Sequence, residues 1–154
     1  MVTNWERIWA EVEGQFRGSL MGIHGAGHWR QVERNGLMLA EKNGLGAEGV
    51  LVVRLFAVLH DSQRENDGWD AGHGARAAAY AREVRGKLFE LEDGLLEKLE
   101  RACAGHELGK VTTDLLIGAC WDADRLDLVR IGVVPREELM NTPVGKAAAR
   151  TLGR

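Results

Sequence analysis

A histidine and an aspartate stand side by side at the end of the most apolar stretch of the chain. His60 and Asp61 follow the run from Val50 to Leu59, in which Arg54 is the only charged residue. Such a run predicts that the pair is buried away from water, where an ionised carboxylate destabilises the fold unless it contacts a positive charge. A bound cation would supply that charge, so this pair is the first candidate for a metal site.

Other histidines and acidic residues supply further candidate ligands. Divalent metal sites gather imidazole nitrogens and carboxylate oxygens from several chain elements. All five histidines of the chain are candidates, together with two aspartates near its end. Besides His60 and Asp61, the set contains His24, His28, His73, His106, Asp122 and Asp124.

Apolar residues recur at helical spacing along nearly the whole chain, which predicts an all-α protein. Breaks and candidate caps, which are Asn4 for the first helix and Thr112, Thr113 or Asp114 for the sixth, divide the pattern into segments. The predicted helices lie at about residues 5–16, 28–43, 47–61, 72–85, 91–106 and 113–129. A short helix is expected from Pro135, and the tail after Pro143 is helical or frayed. The valines of the third segment also permit a strand, but its length and its flanking patterns favour a helix. The predicted fold is a single-domain helical bundle of about six to seven helices over residues 1–154.

These helices would position the candidate ligands. Antiparallel packing of the second and third helices brings His28, at the start of one, near His60 and Asp61 at the end of the other. Asp122 and Asp124 point about 200° apart on the sixth helix, so only one of them is easily a direct ligand. Spacing alone does not choose between the two.

Composition excludes several classes of function. The chain has 154 residues, with Lys+Arg 20 against Asp+Glu 23 and a formal net charge of -3. This balance gives no basic field for a nucleic-acid polymer and no polybasic membrane anchor. The N-terminal residues lack the pattern of a secretion signal, and no apolar run approaches the about 20 residues of a membrane span. We expect a cytoplasmic protein with Cys103 and Cys120 as reduced, buried thiols.

Four residues in sequence order carry a resemblance to a known family. His28, His60-Asp61 and Asp124 resemble the H…HD…D signature of the HD-domain superfamily of metal-dependent phosphohydrolases. The local strings are similar as well: residues 24–32 read HGAGHWRQV, 59–61 read LHD and 122–127 read DADRLD. The last string is similar to the alanine-aspartate-arginine-leucine segment of several members. The resemblance spans about residues 17–142, which would form the core of an HD-like domain.

The resemblance implies a set of metal ligands. Matching the aspartate that precedes arginine-leucine selects Asp124, to act with His28, His60 and Asp61. Asp122 would then lie behind the ligands or face the substrate, and His24 would be a neighbouring residue outside the metal set. Asp127 is expected to pair with Arg130 or Arg125.

His73 and His106 occupy the interval in which some members of the superfamily carry two further histidines. In those members the extra histidines hold a second metal; in others, histidines there contact phosphate or act as general acids beside one metal. One or two ions per chain therefore stay open. The identity of the metal, whether Mn, Fe, Co, Ni, Mg or Zn, is open too.

The activity implied is metal-assisted hydrolysis of a phosphate ester or anhydride, with a nucleotide as the favoured substrate. An ion lowers the pKa of bound water and neutralises phosphoryl oxygens, and arginine forks suit phosphate. The loop 62–71, with Trp69, is expected to cover the substrate. The candidate phosphate-binding residues are Arg64, Arg30, Arg76 and Lys110.

Three other functions remain open at this point. Some HD-type sites hold two irons and act as oxygenases, which is the first alternative. The second is a non-catalytic module that binds a metal or a nucleotide. The third is a helical interaction domain in which the histidines are incidental. A homo-oligomer is compatible with each of them.

Overall fold

Helices account for nearly all regular structure in the computed structural model, which describes residues 2–154. Two short 3-10 segments, Leu126–Ile131 and Glu137–Leu139, accompany the α-helices. No sheet forms among the described residues, so the predicted all-α class is confirmed. The α-helices are α1 (Trp5–Gln15), α2 (Ala26–Lys42), α3 (Gly46–Leu59), α4 (His73–Val84), α5 (Asp93–Gly105), α6 (Leu115–Arg125) and α7 (Pro143–Leu152).

The centre of the core is α3, the valine-rich segment for which the sequence favoured a helix over a strand. Its residues are apolar on almost every side, and the run Leu55–Leu59 is completely inaccessible to solvent. Helices α1, α2, α4, α5 and α6 all pack against it. A helix enclosed in this way holds the residues at its C-terminal end, His60 and Asp61, in the interior.

Side-chain caps fix where several helices begin. Asn4 accepts a hydrogen bond from the backbone N–H of Arg7, as the sequence predicts for the start of α1. Asp114 accepts from the N–H groups of Leu116 and Ile117, so α6 begins at Leu115 rather than at the expected residue 113. Its expected end at residue 129 is also wrong, because the chain tightens into a 3-10 turn after Arg125.

The C-terminal region contains less helix than expected after Pro135 and a fully regular helix after Pro143. The short helix predicted from Pro135 is reduced to the single 3-10 turn Glu137–Leu139. The tail beyond Pro143 is a regular helix, because Thr142 caps it through a hydrogen bond from the N–H of Gly145 and proline fits its first turn.

Two close helix contacts set the positions of the candidate residues. Helices α2 and α3 approach each other at Gly36, where an added Cβ atom would lie 3.1 Å from the Val53 side chain. The start of α4 lies against the end of α5, and a Cβ atom on Gly74 would lie 2.5 Å from the carbonyl oxygen of Cys103. Small residues at these points allow the helix ends to meet at one end of the bundle.

None of the helices within residues 2–154 combines the length and the apolar character needed to cross a bilayer. Cys103 and Cys120 are buried and unpaired, which confirms their prediction as free thiols. Burial raises the pKa of the Cys103 thiol to a value far above neutrality, and the same cause acts on Cys120.

Candidate metal centre

Five helix ends contribute six largely buried histidine and aspartate side chains to one point. His28 comes from the first turn of α2, while His60 and Asp61 follow α3 directly. His73 opens α4, His106 follows α5, and Asp124 lies in the last turn of α6. Asp124 is the most accessible of the six, with 17% of its side chain exposed.

The first donor set consists of one atom from each of His28, His60, Asp61 and Asp124. The Nε2 atom of His28 lies 3.1 Å from Nε2 of His60 and 3.1 Å from Oδ1 of Asp124. Oδ2 of Asp61 lies 3.4 Å from His28 Nε2 and 3.5 Å from His60 Nε2. His60 Nε2 and Asp124 Oδ1 are also 3.5 Å apart.

The second donor set uses the other oxygen of Asp61. Its Oδ1 atom lies 3.1 Å from Nε2 of His73 and 3.2 Å from Nε2 of His106. The two imidazole nitrogens are themselves 3.0 Å apart. Asp61 therefore stands between the two sets and presents one carboxylate oxygen to each.

Each of the four rings is oriented by an acceptor at its other nitrogen, Nδ1. Three of these hydrogen-bond acceptors are backbone carbonyls and one is a carboxylate, and the carboxylate of Glu107 also contacts Nδ1 of His73. Each neutral ring therefore carries its hydrogen on Nδ1 and has a lone pair on Nε2. The contacts are His28 with Asp127 Oδ2 (2.8 Å), His60 with Ala57 O (3.0 Å), His73 with Asp70 O (2.7 Å) and His106 with Cys103 O (2.7 Å).

When all four rings are neutral, as metal binding requires, this arrangement directs lone pairs at one another. Four Nε2 atoms and the oxygens of Asp61 and Asp124 converge, and none of the neutral rings offers a hydrogen between them. Ligands about 2.1 Å from one ion stand about 3.0 Å apart at right angles and about 3.4 Å apart in a tetrahedron. The observed separations of 3.0–3.5 Å fall in that range. The donor set therefore fits divalent metal ions.

The electrostatics of the cluster favour positive charge. Burial lowers the pKa of His28, but its contacts with Asp124, Asp127 and Asp61 outweigh burial and raise the pKa to about 10. Burial also raises the pKa of Asp61, yet the charge of His60 and the neighbouring imidazoles hold that carboxyl well below its usual range. The field that stabilises a protonated imidazole here equally stabilises a metal cation.

Asp127 has a role that the sequence prediction missed. The predicted ion pair with Arg130 is present only as a 3.9 Å contact. The shorter contact of Asp127 is with Nδ1 of His28. The signal was available in the sequence, because residues three apart share a helix face and Asp124 lies three positions earlier.

Glu107 is the second residue that sequence reasoning missed. Its carboxylate contacts Nδ1 of His73 and accepts hydrogen bonds from the backbone N–H groups of Gly72 and Gly74. It thus holds the start of α4 in place as well as one imidazole ring. Its position directly after His106 gave no pattern from which this contact could be inferred.

The prediction that Asp122 lies behind the ligands or faces the substrate is wrong. Its carboxylate accepts hydrogen bonds from the backbone N–H groups of Asn141 (2.8 Å) and Thr142 (2.9 Å). Two further bonds come from the Asn141 amide (3.0 Å) and the Thr142 hydroxyl (2.8 Å). We call this group the Asp122 anchor.

His24 lies outside both donor sets, with its Nδ1 atom 3.1 Å from Oδ1 of Asp67.

Of the four predicted phosphate-binding residues, Arg64 approaches the cluster. Its Nε atom lies 3.5 Å from Oδ1 of Asp61, and Nη1 donates to the carbonyls of Asn66 and Gly68. Nε is buried and has no hydrogen-bond partner among the described residues. Arg64 therefore lies at the edge of the metal centre with a donor to spare.

The remaining basic candidates are engaged elsewhere. Arg30 stacks over the ring of Trp9 at 3.5 Å, which corrects its expected place at the site. Arg76 donates to the carbonyl of Gln63 and to Asp70. Lys110 lines a separate groove beside Trp121. None of these three shows a contact with the donor sets.

Comparison with known proteins supports the fold. The chain is similar to a crystal structure described as a predicted HD superfamily hydrolase from an uncultured Thermotogales bacterium, with 21% identity and a TM-score of 0.77. The match covers 98% of this chain and 86% of the other. No protein-family model and no curated protein matches the sequence. The fold is thus that of an HD-domain protein, as the resemblance predicted.

Proposed function

We propose that the protein is a metal-dependent phosphohydrolase whose metal centre is the His-Asp cluster. One observation carries the proposal: four imidazole Nε2 atoms face two carboxylates while every Nδ1 is held by an acceptor. The fold, shared with a protein described as a predicted HD superfamily hydrolase, supports the same function. The local strings of the sequence that resemble the superfamily agree with it.

Two ions fit the donor sets better than one. In the proposal, His28, His60, Asp61 and Asp124 hold the first ion. His73 and His106 hold the second, and Asp61 contributes its other oxygen to that ion. Divalent ions in such a site lower the pKa of water and neutralise charge that builds on phosphoryl oxygens. The separate Asp61 oxygens in the two sets support this division.

Protein groups around the centre orient the reactants. Asp127 and Glu107 hold the rings of His28 and His73 in the direction that presents their Nε2 atoms. In the proposal, the guanidinium of Arg64, whose Nε atom lies 3.5 Å from Oδ1 of Asp61, contacts a phosphoryl oxygen next to that carboxylate. An arginine placed there binds an anionic substrate and stabilises the additional charge of the transition state. We propose a nucleotide as the substrate.

A di-iron oxygenase is the second candidate, because the same histidine-rich, two-part donor set suits a pair of redox-active irons. The two functions separate cleanly in solution. An oxygenase consumes molecular oxygen with its substrate, whereas a phosphohydrolase releases phosphate anaerobically at an unchanged rate.

The decisive test combines metal analysis with a hydrolysis screen. The purified protein is expected to contain one to two divalent ions per chain and to hydrolyse members of a panel of nucleotides and aryl phosphate esters. His60→Ala should lose the first ion and lower kcat by more than about 10³-fold, since the charge stabilisation at that ion is lost. Circular dichroism checks that the fold survives.

Two further variants control this test. Removing the His60 ring could disturb packing, so Asp61→Asn, which has nearly the same shape as the native residue, tests the metal site without that change. It should also lose metal and activity. His24→Ala removes a histidine that lies outside both donor sets, and it should retain the full metal content. Full activity of the chelator-treated or His60→Ala protein would refute the proposal.

A further inference from the structure

A cavity of about 240 Å³ opens beside the second donor set. His73 and Glu107 line it on the side of the metal centre, and Arg64 lies at its edge. Trp69 and Leu108 line it as apolar walls. Sites for drug-sized ligands occupy about 300–1,000 Å³, so this cavity suits a smaller group such as a single ring system.

Trp69 is unusual among the tryptophans of the chain. It is 92% exposed, whereas Trp9, Trp29 and Trp121 are at most 7% exposed and Trp5 is half-buried beneath Arg54. Leu108, on the cavity wall, is also exposed, at 55%. Covering an exposed indole removes apolar surface from water, which is favourable, and the flat face of the ring is a surface for stacking.

The loop that carries Trp69 is held in one conformation by its own hydrogen bonds. Asp70 accepts from the backbone N–H of Glu65 (2.7 Å) and from the guanidinium of Arg76 (2.7 Å). Arg64 spans the turn by donating to the carbonyls of Asn66 and Gly68. The backbone that carries the exposed indole is therefore held in place, which lowers the entropy lost when a ligand covers the ring.

Arg64 connects this loop to the metal centre. Its Nη1 atom is bound to the loop carbonyls, while its Nε atom faces Asp61. A phosphoryl group beside Asp61 and a group in the cavity lined by Trp69 and Leu108 would thus both lie next to Arg64. A substrate that reaches both joins a phosphate to an apolar group, and the flat indole of Trp69 favours a planar one.

We propose that Trp69 and Leu108 form a subsite for the planar ring of the substrate, so that the enzyme selects a nucleotide over a sugar phosphate. The placement of the phosphate rests on the proposed function. Trp69 acts here as a specificity-determining residue, because its indole stacks on the base and does not contact the phosphoryl group. Every base has a flat face, so the subsite favours bases as a class.

Steady-state kinetics with a nucleoside 5′-monophosphate and with ribose 5-phosphate test the subsite. Trp69→Ala should raise KM for the nucleotide about 5- to 150-fold, the range that stacking on an aromatic side chain supplies. The kcat should stay within about twofold, and the kinetics with ribose 5-phosphate should not change. Trp69→Phe should lie between the two proteins. Trp5→Phe, the matched control on α1, should behave like the wild type.

Tryptophan fluorescence provides a measurement that does not depend on turnover. In metal-free protein, a nucleoside monophosphate should quench emission in the wild type and in Trp5→Phe but not in Trp69→Phe. Quenching without hydrolysis of any phosphate would support the subsite and refute the hydrolase. Hydrolysis with unchanged nucleotide selectivity in Trp69→Ala would overturn the subsite and leave the hydrolase intact. Loss of both signals would overturn both proposals.

Discussion

Asp122 and Asp124 stand two residues apart on α6, but their carboxylates meet opposite environments. In the Asp122 anchor, four N–H and O–H donors from Asn141 and Thr142 surround the carboxylate. Asp124 faces the Nε2 atoms of His28 and His60 instead. A buried carboxylate that is surrounded by hydrogen-bond donors has its charge and its acceptor positions satisfied without a ligand. A buried carboxylate that faces lone pairs requires a cation.

The two carboxylates also act on different parts of the molecule. The Asp122 anchor fastens the start of α7 to α6, and a Cβ atom on Gly145 would lie 2.0 Å from its Oδ2 atom. Asp124 ties α6 to the ends of α2 and α3 through the histidines. The comparison therefore separates residues that hold the fold together from residues that prepare a site for chemistry.

The largest expected effect is the loss of activity in Asp124→Asn. We expect hydrolysis to fall by more than about 10³-fold, because the first donor set loses a charged ligand. Adding metal should raise the melting temperature of the wild type, since ions bind only the folded state, and should raise that of Asp124→Asn by less, because only the second donor set is intact in the variant. Calorimetry with and without metal checks this. A variant that metal stabilises as much as the wild type would contradict the role of Asp124.

Asp122→Asn should show the opposite result. Its amide would place N–H groups against the N–H donors of Asn141 and Thr142, so we expect a loss of about 3 kcal/mol in the free energy of unfolding. The folded fraction should still bind metal with wild-type affinity. Urea unfolding of metal-free protein measures the change. A loss below about 0.5 kcal/mol would show that the four hydrogen bonds do not act as an anchor.

Asp127→Asn should give the smallest effect of the three. The amide can still orient His28, but it lacks the charge that makes the ring a better ligand, so we expect metal affinity to fall about 10- to 100-fold. Competition with a fluorescent chelator measures the affinity. Arg130→Gln is the matched control and should leave it unchanged. Equal losses in both variants would instead point to the Asp127–Arg130 ion pair.

Much of the fold followed from local patterns. The apolar periodicity predicted six of the seven helices, and Asn4 and Asp114 were identified as candidate caps for α1 and α6. The boundaries were less accurate. The sixth helix ends early because residues beyond Arg125 adopt the tighter 3-10 geometry, which no apolar spacing in the sequence distinguishes from an α-helix.

The candidate site shows the same division. His28, His60, Asp61 and Asp124 were selected by their order and by the resemblance, and the structure brings their side-chain atoms together. Arg30 was selected because it lies near His28 in sequence, yet its side chain lies over Trp9. Neighbours in sequence on a helix point in different directions, so proximity along the chain did not predict proximity to the site.

The sequence by itself determined the helical class, the apolar α3 and the places where histidines and aspartates fall at helix ends. Those properties depend on spacing over a few residues. Only the tertiary structure decided that Asp122 is an anchor, that Glu107 and Asp127 hold imidazole rings, and that His73 and His106 share Asp61. The physical reason is that these contacts join distant segments, and their partners depend on how each helix is rotated and packed against the others.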